Sequence, residues 1–122
     1  MADRLLLVLT YEGDVPVAAA LNFQGADTLF GRYWGCIREY DFLHFEACYY
    51  QGIEYCIEQG LSVFEPGAQG EHKVPRGFIP TLTRSSHWLS NEMFHKPVQQ
   101  HTEHEQRAVA HYMESVRDHM PY

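Results

Sequence analysis

The amino-acid sequence predicts an α+β fold: a mostly antiparallel, mixed sheet with about two main helices. Three observations carry this. Leu5 to Leu9 is an uninterrupted apolar run, followed by two more extended stretches that turn residues separate. From His44 the apolar period lengthens from two residues to between three and four. Beyond a stretch rich in glycine, proline and charge, Pro97 opens a second segment of helical period. The expected order is β-β-β-α-β-loop-β-α, a single domain over residues 1–122.

Each element has a local reason. Leu5-Leu6-Leu7-Val8-Leu9 lacks polar positions, as a strand covered on both faces does. Glu12-Gly13-Asp14 supplies turn chemistry, and Val15 to Phe23 resumes as the second strand of a hairpin. Gly25-Ala26-Asp27 breaks the chain before a third strand, Thr28 to Cys36. Strict alternation there puts Phe30, Arg32 and Trp34 on one face, with Leu29, Gly31 and Tyr33 on the other. In the following helix Phe45, Tyr49, Ile53 and Cys56-Ile57 form the apolar stripe, and Gly60 stands at the C-cap. Leu61 to Phe64 reads as a strand, and the intervening helix lets it lie parallel to an earlier one. Glu65 to Arg76 reads as a loop, and Phe78 to Leu89 as extended chain with Pro80 at an edge or bulge. The last helix has Val109, Tyr112, Met113, Val116 and Met120 as its apolar stripe; Gln99 to Arg107 has almost none.

Composition narrows the function. A chain of 122 residues builds one core rather than two. With 45% hydrophobic and 20% charged residues, it falls outside the disordered class. A formal net charge of −7 argues against general nucleic-acid binding, which needs a basic face. Cys36, Cys48 and Cys56 form no C-x-x-C pair, which fits reduced thiols in a cytosolic protein. Leu5 to Leu9 is too short to span a membrane and no signal-peptide cleavage pattern follows it. The expected location is cytoplasmic, without membrane insertion.

The densest chemical cluster is Gly67-Ala68-Gln69-Gly70-Glu71-His72-Lys73-Val74-Pro75-Arg76-Gly77. Glycines let backbone approach a ligand closely, while a carboxylate, an imidazole and two cations follow within six positions. Such a loop suits anion binding and general base catalysis, and the same composition suits a solvated surface loop. Neither G-x-x-x-x-G-K-[ST] nor G-x-G-x-x-G is present. A second cluster, Arg32, Tyr33, Trp34, Arg38, Glu39, Tyr40, Asp41, His44, Glu46, Tyr49 and Tyr50, lies where a helix start near Leu43 would present N–H groups to an anion. Tyr49 and Tyr50 face different directions, so at most one lines a site; both also fit buried, hydrogen-bonded core positions. Ser86 and His87 would point to opposite faces of a strand and no G-x-S-x-G occurs, so His87 reads as packed beside Trp88 or against the ligand loop. His95, His101, His104, His111 and His119 crowd the C-terminal region without H-E-x-x-H or a nearby cysteine, and no functional metal site is expected.

Several stretches together resemble one bacterial family. They are Gly31-Arg32-Tyr33-Trp34-Gly35, Leu43-His44-Phe45-Glu46-Ala47-Cys48-Tyr49-Tyr50-Gln51-Gly52-Ile53 and Glu65-Pro66-Gly67-Ala68-Gln69-Gly70-Glu71-His72-Lys73, then Arg76-Gly77-Phe78 and His87-Trp88. They are similar to the FemAB-like proteins, also labelled predicted N-acyltransferases and peptidoglycan biosynthesis/recognition proteins, of the GNAT superfamily. The similarity runs from about Leu5 into the last helix and implies a GNAT-like fold, with this chain matching the C-terminal lobe of longer members. It also implies pairing with a second copy, since a missing partner exposes strand edges.

The implied activity is transfer of an acyl or aminoacyl group to an amine. His72 and Glu71 are the candidate bases, with Glu46 behind them, and Tyr50 is the candidate acid. Gly67, Gln69, Gly70, Lys73, Arg76, Arg32, His44 and His87 are the candidate ligand contacts. No cofactor is firmly implied, and acyl-CoA enters only as a donor substrate. One departure concerns that donor: the turn Arg38-Glu39-Tyr40-Asp41-Phe42-Leu43 has no glycine and two acids, where GNAT enzymes carry R/Q-x-x-G-x-G/A. The other reading is a non-catalytic module for an anionic ligand such as a cell-wall precursor.

Overall fold

A computed structural model describes residues 2–68 and 70–117. Its elements are those of an α+β protein with a mostly antiparallel sheet. Strands β1 (Leu5–Glu12), β2 (Val15–Gln24) and β3 (Thr28–Cys36) form an antiparallel meander, and β4 (Val63–Glu65) adds parallel to β3, giving the order β1-β2-β3-β4. Between β3 and β4 runs one continuous helix in three stretches: α1 (Leu43–Phe45), a π-helical stretch (Glu46–Tyr50) and α2 (Gln51–Gln59). This strand–helix–strand step makes the single parallel pairing, since a crossover is the means by which neighbouring strands run the same way. The chain divides into two compact units, residues 1–69 and 70–122.

In the first unit the core lies between the sheet and the helix. Val17, Ala18 and Ala20 of β2 and Leu29 of β3 are buried, as are Ala47, Tyr49 and Cys56 of the helix. Asn22 is buried among them, and its Nδ2 reaches the carbonyl of Leu6 at 3.5 Å. The small residues of β2 let the helix lie close, and Gly52 meets Phe64 of β4. A Cβ there would stand 2.6 Å from the ring. Gly60 ends α2 in the left-handed region at φ 67°, with the Leu61 N–H returning to the Cys56 carbonyl at 2.8 Å.

Two expectations change here. β3 does not alternate strictly. Leu21 pairs Tyr33 and Asn22 pairs Gly31, which leaves Arg32 as an extra residue in a bulge. Beyond it the faces exchange, so Leu29, Gly31 and Trp34 lie toward the helix while Phe30 and Tyr33 stand exposed. Ile57, expected in the apolar stripe, is 75% exposed: α2 buries Gly52 and Cys56, and Ile57 stands about 100° round the helix from Cys56.

The second unit holds a 3₁₀ helix (Glu71–Arg76) and the long helix α3 (Glu92–Arg117). Phe78 to Leu89 forms no strand: residues 78–89 follow an irregular path. Helix α3 starts five residues before Pro97, because Asn91 caps it through its Oδ1, which accepts the Met93 N–H at 3.0 Å. Its middle is exposed, while Met113 and Val116 are half-buried; Met120 lies outside the described residues. No helix among the described residues is long and apolar enough to cross a membrane.

Candidate functional site

After β3 the chain reverses through residues 37–41 and enters the helix at Phe42, whose backbone is left-handed at φ 64°. No side chain caps this helix start. The Phe42 carbonyl instead accepts the N–H groups of Phe45 and Glu46 at 3.0 and 3.1 Å. The turn lacks glycine, so a bulky residue takes a conformation that glycine adopts freely. Next to it the helix opens into its π-helical stretch, where the Gln51 N–H bonds the Glu46 carbonyl five residues back. The wide turn brings side chains five apart together, and Gln51 Nε2 donates to Glu46 Oε1 at 2.8 Å.

These irregularities border an open groove of about 450 Å³. The end of β1 supplies Thr10, Tyr11 and Glu12; β2 supplies Val17; the turn supplies Tyr40 to Leu43; the helix supplies Glu46 and Tyr50. Two irregularities at one groove fit the tendency of strained backbone and π-bulges to gather at functional sites. Among the described residues, three carboxylates (Glu12, Asp41, Glu46) and three tyrosines (Tyr11, Tyr40, Tyr50) line it, and no lysine or arginine does. Carboxylates attract an ammonium by charge and aromatic faces attract it by their quadrupole, so this lining favours an amine over a phosphate.

At the rim Arg38 ties the turn to β1. Its Nη2 donates to both carboxylate oxygens of Glu12, one at 2.6 Å, and its Nε donates to Tyr40 Oη at 2.7 Å. Tyr40 Oη in turn donates to Glu12 Oε2 at 3.2 Å, and the guanidinium lies 4.7 Å from the Tyr40 ring centre. The hydrogen bond to Tyr40, then the charge of Glu12, push the Arg38 pKa above its ordinary value. All three groups stay on the surface side, so the contact fixes geometry more than it stabilises the fold.

Of the residues expected from sequence, the structure brings Glu46 and Tyr50 into this groove, together with Tyr40 and Asp41 of the same cluster. Glu71, His72, Lys73 and Arg76 gather on the 3₁₀ helix of the second unit, where Arg76 Nη1 donates to the His72 carbonyl at 2.6 Å. Gly70 precedes that helix at φ 112°, and a Cβ on it would stand 2.5 Å from the His72 ring. This glycine admits the imidazole. Gly67 is exposed at φ 88°, and Gln69 lies outside the described residues. Arg32 sits on the exposed bulge, 5.4 Å from the Tyr33 ring. His44 packs within an aromatic cluster, 5.5 Å from Trp34 and 5.3 Å from Tyr49. His87 Nε2 meets Ser85 Oγ at 2.9 Å in exposed irregular chain, a pair two residues apart rather than adjacent. Among the described residues no three His, Cys, Asp or Glu side chains group as a metal site would require.

Sequence reasoning took Glu12 only as a turn residue and missed its link to Arg38 and Tyr40. Nothing local could have shown it, because 26 residues separate Glu12 from Arg38.

The fold and groove thus define an α+β domain with an acid- and tyrosine-lined cleft beside an irregular helix start. The FemAB-like family model, described as peptidoglycan biosynthesis/recognition, matches residues 1–122, and the chain belongs to that family. No curated protein and no solved structure matches the chain.

Proposed function

We propose that the protein transfers an acyl or aminoacyl group to an amine, with the groove of the first unit as the reaction site. One observation carries this reading: a carboxylate and a phenol, Glu46 and Tyr50, line one groove from a single wide helical turn. Direct acyl transfer needs a base for the amine and an acid for the leaving group. The Glu46 carboxylate takes a proton from the amine, whose nitrogen attacks the acyl carbonyl carbon. The tetrahedral intermediate then collapses, and Tyr50 Oη gives its proton to the departing sulfur of a thioester or oxygen of an ester. Asp41 holds the acceptor by charge before it is deprotonated, while Glu12 is paired with Arg38 at the rim. The donor is an acyl-CoA or an aminoacyl ester.

Turnover with acetyl-CoA, a longer acyl-CoA and a panel of primary amines tests this. Glu46→Gln and Tyr50→Phe should each lower turnover by ~100- to 10,000-fold while leaving the calorimetric heat of donor binding in place. Near-normal turnover in both variants would remove the groove from the chemistry.

A second reading rests on Lys73 and Arg76, two cations on one short helix, and on the recognition named in the family description. In it the second unit binds an anionic cell-wall precursor without turning it over. Binding heat lost in Lys73→Ala, with no turnover in any amine mixture, would favour it.

A further inference from the structure

We propose that β1 is the pairing edge of a two-fold symmetric dimer, in which β1 of a second copy adds antiparallel with Val8 at the axis. Among the described residues β1 ends the sheet order and pairs with β2 alone. Exposed strand edges are normally blunted by short length, lysine, proline or a bulge. Leu5 to Thr10 has no lysine and no proline, and β1 is eight residues long. The irregularity in the β1–β2 ladder falls on the β2 side, where Val17 has no partner residue, so β1 itself stays regular. The opposite edge of the sheet, β4, has only three residues.

The apolar residues of this edge stand open. Leu5 is 44% exposed, Leu7 53%, Leu9 45% and Tyr11 54%, all on one face. With Val8 at the axis, Leu7 faces Leu9 and Leu5 faces Tyr11 across the new ladder, each pair on that same face. The charges choose the same register. Arg4 of one copy, the last residue of a 3₁₀ turn (Ala2–Arg4) leading into β1, falls beside Glu12 of the other, which Arg38 of its own chain also contacts, once at each end of the paired strands. A shift of two residues sets Glu12 against Ala2 or Leu6 and removes this match. A strand with a cation just before its start and an anion at its end is complementary to a second, antiparallel copy of itself, which is why the occupant is a second copy.

Light scattering on the eluting protein should give twice the chain mass of 14.2 kDa. Leu7→Lys, a change at an exposed position, should return it to the single-chain mass with an unchanged circular dichroism spectrum. Arg4→Glu and Glu12→Arg should each weaken the dimer, and the two together should restore it. Opposed residues of antiparallel strands lie about 4.5–5.5 Å apart, within reach of a disulfide. With Cys36 changed to serine, Val8→Cys should therefore cross-link to itself on oxidation, and Leu9→Cys should not. A monomer at tens of micromolar overturns the proposal, as does a dimer that Leu7→Lys leaves intact. Cross-linking through Leu9→Cys in place of Val8→Cys overturns it too.

Discussion

Phe42 combines an exposed aromatic ring with the left-handed backbone, the one non-glycine residue among those described to do so. A bulky side chain there costs about 1–3 kcal/mol, and nothing in the core compensates it because the ring points outward. Phe42→Gly should raise the unfolding free energy in urea by about 1 kcal/mol and weaken ligand binding in the groove. Leu29 is the opposite case. Fully buried beneath the helix, it should cost about 2–5 kcal/mol on change to alanine in the same melts. Burial pushes the Cys56 thiol up, so the folded state keeps that proton to higher pH than the unfolded chain. Its contribution is complete below the ordinary thiol pKa and is lost as pH rises through the folded value. The stability advantage of the native chain over Cys56→Ala should therefore shrink between about pH 7 and about pH 10, read from paired urea titrations. None of these three was visible as such in the sequence. Phe42 appeared only as part of a turn that lacks glycine, and Leu29 as one apolar residue among many.

Local chemistry made much of the sheet legible. The hairpin followed from Glu12-Gly13-Asp14, the C-cap from Gly60 and the parallel strand from the helix between Cys36 and Leu61. What failed were strict periods. One bulge at Arg32 exchanged the faces of β3, and α2 turns Gly52 and Cys56 inward, which leaves Ile57 outside the core. Residues 78–89 carry apolar side chains without the alternation or a partner strand that would hold them extended. Gly52 shows how tertiary contact overrides helix propensity. Alanine there gains up to ~1 kcal/mol as a helix former, yet its Cβ would overlap the Phe64 ring, a clash that costs about 1–3 kcal/mol. Gly52→Ala should lower the melting temperature, and the double change with Phe64→Leu should recover part of the loss.

Taken over the full chain, the candidate site was half legible. The run from Gly67 to Arg76 drew attention because its chemistry is contiguous, and the structure places its charged part on one short helix. In the groove Tyr40, Asp41, Glu46 and Tyr50 were legible as neighbours at one strand-to-helix junction, while Tyr11 and Glu12 come from β1 and only the fold brings them there. Its three carboxylates also fit the acidic balance of the chain, a net charge of −7. Attraction between such a lining and an ammonium is screened over a Debye length of about 8 Å at physiological salt. The KM for a cationic amine acceptor should thus rise as sodium chloride is added, with kcat little changed, and a salt-independent KM would argue against the carboxylates holding the acceptor.

The π-helical stretch can also be regarded as an insertion. A helix that widens for one turn has taken in an additional residue while keeping its packing on either side. Deleting one residue within 46–50 would leave α2 seated on the sheet through Cys56 and Gly52, yet turn everything before the deletion by about 100°. Glu46 would swing out of the groove while the core stayed closed. In this molecule a site residue and a foundation share one helix, and a single length change can part them.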